Sequence, residues 1–176
     1  MYIRLMDCIL KKILTLSCLA IVWGCGYQMA GRETHIPPGL TSIAIPTFVN
    51  QTFEPGIEIP FTQAFLREFI LDKRIKVVDR SEADSTLEGV IKSFNIYSVS
   101  YDRSGLVLEY QTTVVMDLTL KKQTGETLWI ERDLSETYWY RSSSNILASE
   151  ANKATAIQQI GRFVAGRIRN RFFYNF

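Results

Sequence analysis

Histidine occurs once in these 176 residues, as His35, and cysteine three times, at Cys8, Cys18 and Cys25. These shortages exclude a good deal. His35 stands alone in a Gly/Pro-rich stretch, where an imidazole is more often a solvated bystander than a catalyst or ligand. Ser–His–Asp and Cys–His arrangements therefore have little support. There is no P-loop and no G-x-G-x-x-G, so a nucleotide has no visible cradle. Asp79, Glu82 and Asp84 are the remaining carboxylate option, but they fall in an apparent turn, where acidic residues commonly serve local hydrogen bonding. An enzyme is disfavoured. Charge of one sign is missing too. Of 20 Lys+Arg and 18 Asp+Glu, three bases (Arg4, Lys11, Lys12) and one acid (Asp7) precede Cys25, leaving 17 of each. Nucleic acid binding rests on concentrated positive charge, so nucleic acid is not an expected partner.

Long hydrophobic runs are also scarce. The apolar stretch Ile13 to Val22, behind Lys11 and Lys12, has about ten residues, the length of a signal h-region and too short to span a bilayer. It closes on Val22-Trp23-Gly24-Cys25. A small residue before a cysteine at this place is the pattern of a bacterial lipobox, although Val22 replaces the commoner leucine and Trp23 is bulky for its slot. Cys18 is the weaker alternative, because few apolar residues separate it from the lysines. An ordinary cleaved signal or an N-terminal anchor is the competing reading. The lipobox reading predicts a signal peptide at 1–24 and, on Cys25, a covalent diacylglycerol and N-acyl lipid. Acyl chains contribute about 0.8 kcal/mol per buried CH₂, so two or three of them anchor a protein without a transmembrane helix. Gly26, rather than Asp, is compatible with transfer to the outer membrane. Two cysteines would leave with the signal and the third would be acylated. No disulfide, thiolate metal site or other cofactor is then expected.

The rest of the chain reads as one α+β domain over 42–176, behind a lipidated terminus and tether at 25–41. Pro37, Pro38 and Gly39 oppose both helix and sheet in that tether. A first strand is predicted over Ser42–Phe48, with Pro46 marking an edge or a bulge. Pro60 suits the first turn of a helix to about Arg74, with Phe61, Phe65 and Phe69 on one face. A short β segment at Ile75–Asp79 precedes a longer strand, about Thr86–Tyr101. Its apolar parity switches from odd at Leu87 and Ile91 to even at Phe94 and Ile96, then back to odd at Tyr97, Val99 and Tyr101, the mark of a bulge. Leu106 to Leu120 then places apolar residues at most even positions and polar ones at most odd positions, a half-buried antiparallel strand with one wet face. Gly125 supplies the hairpin loop. The return strand carries Leu128, Ile130, Leu134, Tyr138 and Tyr140 on one parity. This hairpin would run on the order of 45–50 Å and project beyond the core. Ser142 to Asn145 offers N-caps for a last helix. Gly161, Ala165 and Gly166 would let it sit close to the sheet. Arg167, Arg169 and Arg171 alternate with their neighbours as a strand would, so the helix is placed to about Asn170 with an aromatic tail. The fold class is a two-layer α+β sandwich. Two helices lie on one face of a mixed, mostly antiparallel sheet of about four to five strands.

Several segments, taken together and in order, carry a resemblance. They are Cys25-Gly26-Tyr27, Ile43-Ala44-Ile45-Pro46-Thr47-Phe48-Val49-Asn50-Gln51-Thr52, Phe61-Thr62-Gln63-Ala64-Phe65, and Ala83-Asp84-Ser85-Thr86-Leu87-Glu88-Gly89. Their succession behind a lipobox resembles the lipopolysaccharide-assembly lipoproteins of the LptE family, over nearly all of the chain after the signal. The resemblance implies a non-catalytic outer-membrane lipoprotein seated in the lumen of a large β-barrel, LptD, as plug and assembly partner, which also binds lipopolysaccharide.

A sheet covered on one side only leaves a second face for water or a partner. Val107, Val115, Trp129 and Trp139 are the residues expected there, as barrel contacts. A binder of phosphates and acyl chains needs cations beside apolar surface. Lys121 and Lys122 at the hairpin tip, with Lys92 and Arg103 flanking the preceding strand, are the expected lipopolysaccharide contacts. Lysines at a hairpin end can equally be solvated, edge-protecting residues. The alternative function is an outer-membrane lipoprotein activating a periplasmic peptidoglycan synthase. Its tether would have to cross the periplasm, and residues 26–41 span at most on the order of 55 Å.

Overall fold

The computed structural model describes residues 40–174. The signal, Cys18, Cys25, His35 and the tether up to Gly39 lie outside the described residues, as do the last two aromatic-tail positions.

Six strands form one mixed sheet: β1 (Ser42–Ala44), β2 (Val49–Asn50), β3 (Lys76–Val77), β4 (Ser85–Tyr101), β5 (Val107–Lys122) and β6 (Thr127–Arg141). The order is β3-β1-β4-β5-β6, with β2 also against β4. β1 is parallel to β3 and β4, and β2 is parallel to β4. β4, β5 and β6 make an antiparallel meander. Helix α1 (Glu58–Asp72) and helix α2 (Ile146–Tyr174) cover one face. The expected two-layer architecture is therefore present, with six strands instead of four or five.

The first predicted strand divides in two. Ala44 pairs with Thr86 and Val49 with Val90, so the chain spends five residues where β4 spends four. Pro46, which has no N–H for the ladder, lies inside that extra length. The excursion buries Phe48, whose amide donates to Thr62 Oγ1 (3.0 Å) and whose ring meets Phe65 edge-on at 5.0 Å. Thr62 in turn donates to the Glu58 carbonyl (2.7 Å), so one hydroxyl joins α1 to the strand layer. Asn50 closes the following turn. Its amide donates to the Glu54 carbonyl and Glu58 Oε2, and its Oδ1 accepts from Thr52.

Ile43, Phe61, Phe65, Phe69, Leu87 and Ile91 form the core with Val114, Met116, Leu118 and Leu120 from the even positions of β5. Each such side chain contributes about 1.5–3 kcal/mol by leaving water. Helix α2 starts at Asn145, whose Oδ1 accepts from the Leu147 and Ala148 amides (2.9 and 3.3 Å). Two expectations about this helix need correction. It does not stop near Asn170: Phe172 and Phe173 are buried within it, Phe69 meets Phe172 edge-on at 5.3 Å, and the Arg74 guanidinium lies 3.7 Å from the Phe173 ring centre. Nor does Gly161 face the sheet. A methyl group built there would lie 3.5–3.6 Å from the Pro60 carbonyl, Phe61 and Ala64, so the small residue serves a close approach to α1. Arg167, Arg169 and Arg171 reach Glu136, Glu68 and Glu131, tying α2 to β6 and α1.

Candidate functional site

The uncovered face is built by three strands, of which only β5 keeps a regular alternation. In β4, Ile91 pairs with Met116 and Ser93 with Val115, so Lys92 is an extra residue. The parity flip expected from the sequence is located there. In β6, Leu134 pairs with Met116 and Glu131 with Leu118, so Arg132 and Asp133 together face Asp117. Asp133 takes φ 54°, and its amide donates to Asp117 Oδ1 (2.8 Å). The two bulges flank one point of β5 and are joined electrostatically, because Lys92 Nζ contacts both Asp117 (2.8 Å) and Asp133. The hydrogen bonds that Lys92 donates to Asp117 and then to Asp133 raise its pKa. Partial burial pushes the Asp117 carboxyl up, but hydrogen bonds from Lys92 and the Asp133 amide outweigh it and hold the pKa below the ordinary value.

The second bulge changes which tryptophan faces outward. Trp129 pairs with the buried Leu120 and packs partly buried against the core, on the helix-covered face. Ile130 points to the open face instead, opposite Thr119, and is 45% exposed. Beyond the bulge the even residues Leu134, Tyr138 and Tyr140 turn inward, and Trp139 outward. The open face then presents a rung of Tyr97, Gln111 and Trp139, with Tyr97 58% and Trp139 51% exposed. Below it lie Asn95, Thr113 and Thr137, whose two threonine hydroxyls are 2.8 Å apart, and then Ser93, Val115 and Ser135. Val107, opposite Tyr101, stands at the far end of the same face. Three of the four expected residues thus share the open face, and Trp129 does not. Tyr97 completes the aromatic rung.

The expected cations do not form one group. Lys121 and Lys122 end β5, whereas Arg103 lies in the turn between β4 and β5, at the opposite end of that strand. Lys92 is held by two carboxylates at mid-strand. Lys121 and Lys122 have a neighbour that the sequence did not indicate. Arg80 joins them, with Thr86 and Glu88, around a cleft of about 330 Å³. Glu88 accepts from both Lys121 (2.7 Å) and Arg80 (3.1 Å), and Lys122 pairs with Glu126 (2.6 Å). Three cations thus meet two carboxylates. Pairs this exposed are worth at most about 1 kcal/mol each, so an incoming phosphate can displace them. Nothing in the local spacing marks Arg80, because the fold alone carries it there from the turn before β4.

The acidic cluster has a structural use. Asp84 Oδ2 accepts from the Thr41 amide (2.9 Å), the Thr41 hydroxyl (2.7 Å) and the Ser42 amide (3.0 Å), clamping the entry to β1. These bonds, the Thr41 hydroxyl foremost, lower the Asp84 pKa to about 2. Among the described residues, no group of three or more His, Cys, Asp or Glu side chains is placed to hold a metal ion. No helix among them is long and apolar enough to cross a membrane, which says nothing of β-barrels.

The sequence profile of the lipopolysaccharide-assembly family, LptE, matches residues 40–172, from the first buried leucine to Phe172 in the last turn of α2. The chain belongs to the LptE family. No protein among curated sequences matches it. Solved structures share its fold. Lipoprotein B of Nitrosomonas europaea is 14% identical with a TM-score of 0.52, covering 83% of this chain and 89% of that one. A minor lipoprotein of Acinetobacter baumannii is 7% identical with a TM-score of 0.50, covering 76% and 91%. A protein of Caulobacter crescentus is 13% identical with a TM-score of 0.50, covering 72% and 87%. At such identities the likeness is one of fold. Within this LptE chain the segments that carried the resemblance are joints of the structure. Pro46 and Phe48 shape the first crossing, Asn50 and Thr62 bond it to α1, and Asp84 clamps β1. Gly89 lies under the Phe48 ring.

Proposed function

We propose that this LptE-family chain is a non-catalytic lipoprotein, anchored to the outer membrane through acylated Cys25, that plugs and helps assemble the LptD β-barrel and binds lipopolysaccharide during its transport to the outer leaflet. Family membership supports the transport role. The observation that carries the barrel contact is the uncovered sheet face. A domain with both helices on one side leaves the Tyr97–Gln111–Trp139 rung and the neighbouring Val115 in water. Aromatic side chains of this kind are enriched at the cores of protein interfaces. Val107, Val115 and Trp139 are the proposed barrel contacts, with Tyr97 added.

For lipopolysaccharide the cleft of Arg80, Lys121 and Lys122 is the proposed phosphate-facing group, since its cations are paired only through exposed contacts. Arg103 lies at the other end of β5, and Lys92 is engaged in stitching the bulges.

The test is photo-crosslinking in cells. A benzophenone amino acid at position 139 should capture a large outer-membrane β-barrel, while the same group at covered position 129 should capture none. Recovery of a peptidoglycan synthase from position 139 would favour that alternative, and no capture from 97, 115 or 139 would remove the barrel reading. Replacement of Cys25 by Ala should release the protein from the membrane fraction.

A further inference from the structure

Where α1 and α2 meet, charges are matched across the seam at one level and mismatched beside it. Glu68 of α1 accepts from Arg169 of α2 (2.7 Å), and Asp72 lies 3.8 Å from the same guanidinium. Next to this pair the pattern breaks. Arg67 of α1 and Arg162 of α2, both exposed, line a single cleft of about 510 Å³ on the outer surface of the helix layer. Neither guanidinium has a hydrogen bond or an ion pair among the described residues.

The break is local. Arg167 and Arg171, elsewhere on α2, have Glu136 and Glu131. The one carboxylate lining the cleft is Glu68, already bonded to Arg169. Gln63 and Gln158 add carboxamides that are likewise unbonded among the described residues. Pro60 and the exposed Leu71 supply apolar wall. The close approach of α2 to α1 at Gly161 sets Arg162, the next residue, against that wall. Two like charges held at one seam repel each other, and the protein supplies no counter-charge between them. A local rule kept at Glu68–Arg169 and broken beside it is the kind of departure found at functional positions.

We propose that this seam binds a phosphate group, free or as the headgroup of a lipid, with Arg67 and Arg162 as its two charged ligands. A tetrahedral phosphate has the charge and the oxygens to accept a bidentate fork from each arginine. A carboxylate has one charge and two oxygens, and satisfies only one of them. Gln63 and Gln158 add neutral N–H donors at the same cleft. Leu71 and Pro60 offer apolar surface that an acyl-bearing phosphate ester can cover and inorganic phosphate cannot. The seam lies on the layer opposite the Tyr97–Gln111–Trp139 rung and shares no residue with the cleft of Arg80, Lys121 and Lys122. It is therefore independent of the contacts proposed above.

The experiment is isothermal titration calorimetry of the full chain in a maltoside detergent, whose headgroup is uncharged. The probes are inorganic phosphate and dihexanoyl phosphatidic acid kept below its micelle concentration. The lipid should bind with a Kd of about 1 mM or tighter. A lipid affinity about tenfold or more above that of inorganic phosphate identifies a lipid headgroup as the source, and equal affinities identify free phosphate. Arg67→Gln and Arg162→Gln should each weaken binding about tenfold, the loss of one charge-assisted contact. Arg162→Lys should weaken it less, because the charge stays and only the fork is lost. All three should keep the parent melting temperature, since neither arginine has a partner among the described residues. Arg141→Gln, an equal change of charge at the end of β6, should leave the affinity as it is. No binding of either probe to about 10 mM, or an equal loss in Arg141→Gln, overturns the proposal. An affinity that the double variant Arg67→Gln/Arg162→Gln leaves unchanged also overturns it, and assigns the phosphate to Arg80, Lys121 and Lys122. Photo-crosslinking from position 139 reads the barrel contact separately, so the two proposals fail by different results.

Discussion

Replacing Gly89 with alanine should be among the most damaging single-methyl additions in the domain. A Cβ built on Gly89 falls 2.7–2.8 Å from three atoms of the Phe48 ring. Carbon atoms rest at about 3.5–4.0 Å, so the ring would have to retreat by roughly an ångström. Its routes are blocked. Phe65 stands edge-on at 5.0 Å, the Phe48 amide is bonded to Thr62, and the ring is 3% exposed. β4 cannot yield freely either, because Val90 and Ile91 pair with β2 immediately beyond. Overpacking of this kind costs about 1–3 kcal/mol. Urea unfolding followed by circular dichroism should show the midpoint falling at unchanged slope. The decisive measurement is a double-mutant cycle. Phe48→Leu alone opens a cavity and destabilises, yet in the Gly89→Ala background it should cost at least 0.5 kcal/mol less (~0.5–3 kcal/mol is usual for residues in contact). A Gly89→Ala midpoint within error of the parent, or additive effects in the cycle, would refute the steric argument.

Asp84, with its pKa at about 2 in the fold and 3.8 as the ordinary value, stabilises the protein fully above about pH 4 and loses that contribution as pH falls towards 2. The melting-temperature difference between the parent and Asp84→Asn should therefore be present at pH 6 and vanish near pH 2; a difference independent of pH would contradict it. Thr112 is fully buried between Ile96 and Tyr138, with its hydroxyl unpartnered among the described residues, so Thr112→Val should raise unfolding free energy by about 1 kcal/mol in the same urea assay. At Gly161 a methyl meets only ordinary contacts of 3.5–3.6 Å, so Gly161→Ala should be neutral or stabilising by up to about 1 kcal/mol through helix propensity. Gly161→Leu should separate the helices and lower the thermal midpoint.

The parts of the fold that were legible from sequence are those where one physical rule acts alone. β5 alternates because one face meets the core and the other water, and nothing interrupts it. The β4 bulge showed as a parity change, since core residues on both sides of Lys92 are apolar. The β6 bulge left no such trace. Leu128, Ile130 and Leu134 share a parity by coincidence, and the residue at positive φ is Asp133, whose side chain suits a solvated turn as readily as a kink. Trp129 was misplaced for that reason. The end of α2 was obscured by alternating arginines. Helix prevails because Phe172 and Phe173 find Phe69 and Arg74, while the arginines find carboxylates on two other elements, β6 and α1. At the proposed site, Trp139, Val115 and Val107 followed from parity within their own strands. Arg80 joins the two lysines only through tertiary folding, which no spacing rule reports.

The facing bulges at Lys92 and Arg132–Asp133 have a consequence for how such a chain can change length. Removing one residue at either bulge would cancel that shift and turn the stretch of strand on one side of it inside out. Deletion at Asp133, for instance, would exchange Trp129 for Ile130 beneath the helices and carry a tryptophan into water. Both outer strands must keep their odd residue, while the turns at either end of β5 can lengthen without reaching the interior. Descendants of this chain should therefore differ in the reach of their hairpins while the count of residues through the Met116 level stays fixed. That level acts as a ratchet tooth, holding the two faces of the sheet to different kinds of neighbour.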